Sequence, residues 1–145
     1  MKYILILLLV IVSSCGLDSF QEKSLNSAVA KYLFAVNSDL KLSRVAFTHP
    51  EILRFYKSKG DEEFKELFKK EDGIWRDAVL GQIEKNDNII HVQLKVVDTR
   101  EFETKNSNKR FSIFAISLDS GGSWFFVEEK DYKSKSCGTF KRLIQ

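Results

Sequence analysis

The chain has 145 residues, 43% hydrophobic and 30% charged, with 23 Lys and Arg against 20 Asp and Glu, for a net charge of +3. The near balance, with both signs interspersed, leaves no basic stripe of the kind that nucleic-acid binding needs. Two cysteines in the whole sequence exclude a disulfide framework.

The first residues, MKYILILLLVIVSSC, have the architecture of a secretory signal. Lys2 supplies a positive start, Tyr3 to Val12 an apolar run of about ten residues, and Ser13 and Ser14 a small-residue end. The run is too short to span a bilayer as a helix. Val12-Ser13-Ser14-Cys15 resembles the bacterial lipobox, an aliphatic residue and two small ones before an invariant cysteine. That resemblance implies diacylglycerol on the Cys15 sulfur, cleavage before Cys15 and acylation of the new amino terminus, with palmitate as the expected acyl group. It implies a lipoprotein of the bacterial cell envelope, held to a membrane through Cys15 and facing the extracytoplasmic side. An ordinary cleaved signal followed by a chance cysteine is the alternative.

Residue 16 is Gly and not Asp, so the inner-membrane retention signal of some Gram-negative bacteria is absent and an outer-membrane destination stays open. Several acyl chains on one residue anchor firmly, because each buried methylene contributes about 0.8 kcal/mol. Removal of residues 1–14 takes Lys2 with it and lowers the side-chain charge from +3 to +2. With Cys15 lipidated, Cys137 has no intramolecular partner and reads as a small buried residue. The organisation expected is a signal peptide over 1–14, a lipid-anchored tether over 15–20 and one folded domain over 21–145.

Within that domain the pattern predicts helices first. Leu25, Val29, Tyr32, Leu33 and Val36 recur at helical spacing over Gln21–Asn37. Asp39–Phe47 reads as a mixed connector in which Leu40, Leu42, Val45 and Phe47 dip into the core. Thr48-His49-Pro50-Glu51 matches a capping box with Thr48 as the cap, opening a helix that ends near Gly60, with His49 exposed in the cap. Asp61 caps a third helix, with Glu62 and Glu63 in its first turn and Lys69 and Lys70 in its last, the signs that suit the helix dipole.

After Gly73 the texture changes to strands. Ile74–Glu84 is the first, with Gly81 marking a bulge or bend. A turn at Asn86-Asp87-Asn88 leads to Ile90, Val92, Leu94 and Val96, which alternate with polar residues. Thr104–Asn108 is a polar loop. The last pair of strands is the most strongly specified piece of the chain: an apolar run over Phe111–Leu118, a turn over Asp119–Gly122 and a second run over Ser123–Val127. Asp119 can fold its carboxylate back onto the backbone, and Gly121 and Gly122 accept positive φ. Both faces of the third strand are apolar, so each needs a cover. The tail beyond Tyr132 carries Phe140, Leu143 and Ile144, which suit a short closing element.

Ser117-Leu118-Asp119-Ser120-Gly121-Gly122-Ser123-Trp124 resembles the Asp-box, Ser-x-Asp-x-Gly-x-Thr-Trp, with Ser123 in place of Thr. Such boxes recur in sialidase-type propellers as structural hairpins. A propeller needs several blades of roughly 40–50 residues each, and one box in this chain excludes it. Asp119, Gly121, Gly122 and Trp124 are therefore read as a structural turn.

The element order, three helices and then a four-stranded antiparallel meander, predicts an α+β domain. With FTHPEIL (Phe47–Leu53), SKGDEEFKELFKK (Ser58–Lys70) and SLDSGGSWFFVEE (Ser117–Glu129), it resembles small bacterial lipoproteins of the nuclear-transport-factor-2-like, or cystatin-like, fold. The resemblance covers most of residues 21–130. It implies N-terminal helices packed on a curved, cone-like four-stranded sheet with a pocket between them.

Relatives of that fold include isomerases, dehydratases and cyclases as well as binding and dimerising modules. A pocket enzyme would have to draw its acid and base groups from Asp77, Asp98, His91, Tyr32 and Tyr56, and no motif assigns them roles. No catalytic motif, cofactor motif or metal-ligand spacing is present. The reading is a lipid-anchored, non-catalytic module that binds a small hydrophobic ligand or a protein, with a homodimer or an envelope partner both open. The pocket enzyme is the alternative.

Overall fold

The computed structural model describes residues 16–69, 73–99 and 109–133. Cys15, Cys137, the leader, the loop expected over Thr104–Asn108 and the tail residues Phe140, Leu143 and Ile144 lie outside them.

Helix α1 (Ser19–Asn37) opens on a capping box that the sequence spells as Asp18-Ser-Phe-Gln21. The Gln21 N–H donates to the Asp18 carboxylate over 2.8 Å, and the Asp18 N–H donates to the Gln21 side-chain oxygen over 3.1 Å. The helix thus begins two residues inside the stretch expected as tether. Three short helices follow, α2 (Lys41–Phe47), α3 (Pro50–Lys59) and α4 (Asp61–Leu67). The segment expected as a connector is therefore largely helical, and Leu42 on it is 88% exposed instead of dipping into the core. The cap of α3 is His49 and not Thr48. Its Nδ1 accepts from the Glu51 N–H over 3.1 Å, while the Thr48 hydroxyl turns back to donate to the Arg44 carbonyl over 2.7 Å. Gly60, not Asp61, precedes α4, and Asp61, Glu62 and Glu63 share its first turn.

The sheet is an open antiparallel meander in the order β1 (Ile74–Asn86), β2 (Ile89–Thr99), β3 (Lys109–Ser117), β4 (Phe125–Glu128). The short helix α5 (Glu129–Lys133) closes the described chain. The domain is α+β, with helices packed against a four-stranded antiparallel sheet. Strand β1 carries two irregularities against β2, between Arg76 and Val79 and between Leu80 and Ile83. The first includes Asp77 at φ 55°. The second includes Gly81, where a Cβ would come within 3.1 Å of the Gln93 carbonyl oxygen. Bulges of this kind bend and twist a strand.

Each face of the sheet has its own core. On one face Leu25, Tyr32 and Val36 of α1 pack against Val92, Leu94 and Val96 of β2 and Ile113 and Ala115 of β3. The other face answers the question posed by the two-sided apolar strand. Ile116 of β3 and Val127 of β4 are covered by Ile52, Phe55 and Tyr56 of α3, Leu67 of α4 and Tyr132 of α5. Tyr132 also stacks on Phe114 at 3.7 Å between ring centroids and lies 3.0 Å from His91 Nδ1. Cover stops at β2: Val79 on β1, opposite Lys95, is 60% exposed.

The expected turn is present, with one change in its glycines. Gly121 has φ 94°, but the second positive φ belongs to Ser120, at 57°, and not to Gly122. Gly122 is needed for space, because a Cβ there would fall 2.9 Å from an Asp119 carboxylate oxygen. Asp119 accepts from the Ser117 hydroxyl and the Ser123 N–H, each over 2.8 Å, and the Gly121 N–H donates to the Ser117 hydroxyl over 2.7 Å. Chiefly through the Ser123 N–H, these donors hold the Asp119 carboxyl below its ordinary range. The turn is also a junction. Gln21 donates to the Ser120 carbonyl, Ser120 N–H donates to the Asn88 carbonyl, and Trp124 Nε1 donates to the Ser24 hydroxyl.

Candidate functional site

The candidate site forms where α2, α3, α4 and the end of β4 meet. Three aromatic rings set its floor. Tyr32 of α1 lies flat on Phe126 of β4, at 4.3 Å and 4°, and Phe47 of α2 stands edge-on to both. The chain then crosses from α2 to α3 alongside β4. Thr48 forms a parallel bridge with Phe126, and the His49 N–H donates to the Phe126 carbonyl. This crossing covers the β4 edge of the sheet and ties the α2–α3 junction to it.

Between them lies a shallow cleft, open to solvent on one side, whose enclosed part has room for about one water. Its apolar walls come from Ile52, Leu67, Phe68 and Val127, with Phe126 below. Its polar groups are Tyr32, Arg44, Thr48, Glu128 and Asp131.

Arg44 is the unusual member. It is 6% exposed, and a buried cation normally sits in an ion pair. The guanidinium instead makes one hydrogen bond among the described residues, donating to the Phe68 carbonyl over 3.0 Å, and lies 5.7 Å from the centre of the Phe68 ring. The two carboxylates of the cleft are engaged elsewhere. Asp131, itself 5% exposed, accepts from the Tyr56 hydroxyl over 2.5 Å, and Glu128 pairs with Lys130 at 3.0 Å. Burial first, then the Glu128 charge, pushes the Tyr32 hydroxyl far above its ordinary range, with Arg44 acting in the opposite sense. Tyr32 therefore keeps its proton near neutrality.

His49 stands just behind the cleft, on the crossing. It is 3% exposed, where the sequence suggested an exposed cap residue. Burial, and secondarily the charge of His91, brings it down to about 4 from an ordinary 6.5.

Of the five acid–base candidates read from the sequence, the structure brings one into the cleft directly, Tyr32, and one at second hand, Tyr56 through Asp131. His91 lies on the same sheet face but against Tyr132. Asp98 is buried at the far end of β2, where its register partners are Trp75 and Lys109. Asp77 projects from a bulge of β1, its side chain 70% exposed and beside Arg76. The sequence reading missed Arg44, Glu128 and Asp131. Arg44 precedes Phe47 by three residues, the helical spacing that puts both on one face, but that signal is visible only once 41–47 is a helix.

Among the described residues no three metal-ligating side chains converge, and no helix is long and apolar enough to cross a membrane. Comparison with known protein families, with curated proteins and with solved structures found no match.

Proposed function

We propose that this chain is a lipid-anchored protein of the bacterial cell envelope whose extracytoplasmic domain binds a small ligand without transforming it. The cleft between α2–α4 and β4 carries the reading. It has apolar walls, a few convergent polar groups and a buried cation without an ion pair among the described residues, the features of a small-molecule site. The enclosed part of the cleft has room for about one water, so the ligand is small and seated at the open side.

The pocket-enzyme reading draws less support. Its acid–base candidates are scattered, and Tyr32, the one that lines the cleft, keeps its proton. The protein-interaction reading rested on an apolar sheet face, and the β3–β4 half of that face is covered by the chain's own helices.

The anchor and the site are compatible in space. After Gly16 only two residues precede the α1 start at Ser19, and the Gly16 carbonyl accepts from Lys85. At 1.5 Å per residue, Tyr32 lies about 20 Å along α1 from Ser19. Cys15→Ser should yield an unlipidated precursor lost from the membrane fraction. Membrane-bound, lipid-labelled Cys15→Ser protein would overturn the anchoring.

For the ligand, the full chain in detergent should show saturable thermal shifts against some members of a broad library of small metabolites and lipids. Leu67→Trp, which fills the cleft, should abolish them. No shift from any compound, or shifts that survive in Leu67→Trp, would remove the binding-module reading.

A further inference from the structure

We infer that the ligand of the cleft is a small monocarboxylate with an apolar body, its carboxylate held by Arg44. The inference rests on the binding-module reading above and adds the chemical class of the guest.

The argument is one of unanswered charge. Glu128 has Lys130 and Asp131 has the Tyr56 hydroxyl, so each acid of the cleft is partnered. Arg44 is nine-tenths buried, yet one guanidinium nitrogen donates to the Phe68 carbonyl and no carboxylate lies within ion-pair distance among the described residues. An isolated buried cation is costly, and a guest anion removes that cost. A guanidinium is a planar fork of five donors, which matches the two oxygens of a carboxylate. The remaining donors of Arg44 supply that fork.

Two further features narrow the class. Glu128 and Asp131 line the same cleft, so a dianion such as a phosphate monoester would be repelled where a single negative charge is tolerated. Leu67 is the partly exposed apolar residue of the lining, with Ile52, Phe126 and Val127 almost fully buried behind it, which suits a small apolar body seated at the open side. The Thr48 hydroxyl is engaged as a donor to the Arg44 carbonyl and keeps lone pairs that can accept from a hydroxylated guest. The same contact fixes Thr48 to the turn of α2 that carries Arg44.

The test compares acids with their uncharged isosteres on the full chain in detergent. Butyrate, hexanoate and benzoate are titrated beside butyramide, hexanamide and benzamide, with inorganic phosphate as the dianion, and binding is read as a saturable thermal shift and by calorimetry. The acids are expected to bind at least tenfold more tightly than the amides, and phosphate not at all. Arg44→Met should erase the preference for acid, and Arg44→Lys should keep part of it, because lysine offers the charge without the fork.

If amides bind as well as acids, the carboxylate inference falls while the cleft remains a binding site. If Arg44→Met keeps the preference, Arg44 is only a tie between α2 and Phe68, and the inference falls again. Silence from every acid and amide, with shifts from other compounds, overturns this inference alone; silence from all compounds overturns both readings. The wild-type comparison of acid with amide decides the matter even if Arg44→Met fails to fold.

Discussion

The two ends of strand β4 are built on opposite terms. At its start, the Ser117–Trp124 turn closes its hydrogen bonds within itself and with α1. Asp119, Ser117, Ser123 and Gly121 answer one another, and Gln21, Ser24 and Asn88 tie the turn down. At its end, Phe126 to Asp131 border a cleft where the buried Arg44 guanidinium makes one hydrogen bond among the described residues. The first region spends strong local sequence signals on holding the fold. In the second, a buried charge has no ion-pair partner among the described residues, and the proposed ligand site rests on that feature. Motif strength and chemistry are separated by only a few residues of one strand.

The contrast breaks most visibly at Trp124. The ring is 4% exposed in the core shared by α1 and the sheet, and its Nε1 donates to Ser24 over 3.2 Å. Trp124→Ala removes that contact and opens a cavity, so unfolding in denaturant should show a loss of about 4 kcal/mol. A loss below about 1 kcal/mol would mean that the turn does not pin α1 to the sheet.

That difference also explains what could be read before the structure. The strands were legible because β2 alternates strictly and the β3–β4 turn has its own chemistry. The α+β order and the approximate strand limits follow from those two signals. Helix α2 was not legible: KLSRVAF carries a β-branched residue and a serine, shows no cap at Leu40, and leaves Leu42 in solvent. Its helicity comes from tertiary contacts, chiefly Phe47 on Tyr32 and Phe126.

The cover of the second sheet face was hidden for a related reason. Residues as ordinary as Ile52, Leu67 and Tyr132 meet over Ile116 only after three helices have folded back. The cleft inherits both blind spots, since its walls come from α2, α3, α4 and α5. The capping residue of α3 was misplaced by one because Thr48 has a stronger local alternative, the Arg44 carbonyl four residues back.

A second way to sharpen the comparison uses pH, because His49 holds the crossing between the helices and β4. Its folded state favours the neutral imidazole, brought down to about 4. The unfolded chain takes up the proton first as pH falls below about 6.5. Stability from His49 is thus complete above that value and lost progressively down to about 4, where the folded state also protonates. Between pH 7 and pH 5 the loss attributable to this group is about 2 kcal/mol, at about 1.4 kcal/mol per tenfold change in proton affinity. His49→Asn retains a capping oxygen for the Glu51 N–H and does not titrate. Urea unfolding at the two pH values should therefore show a steeper decline for wild type than for the variant. Equal declines would place the acid sensitivity elsewhere.

The smallest expected effect is the most informative about the cleft. In the absence of ligand, Arg44→Met removes a buried cation that has no carboxylate at ion-pair distance among the described residues, and a methionine of similar reach fills the space against Phe68 with apolar contact. Against this, the Phe68 carbonyl loses its donor, at about 1–3 kcal/mol if no water replaces it. The two terms oppose, so the unfolding free energy should change by less than about 1 kcal/mol. A structural arginine behaves differently: had Arg44 been placed to hold α2 against α4, its loss should cost as much as other buried polar ties, about 3 kcal/mol or more. Denaturant unfolding of Arg44→Met beside Trp124→Ala therefore measures the contrast directly. A near-silent Arg44→Met next to a strongly destabilised Trp124→Ala marks the turn as the place where the chain invests in its fold, and Arg44 as a residue kept for what it binds.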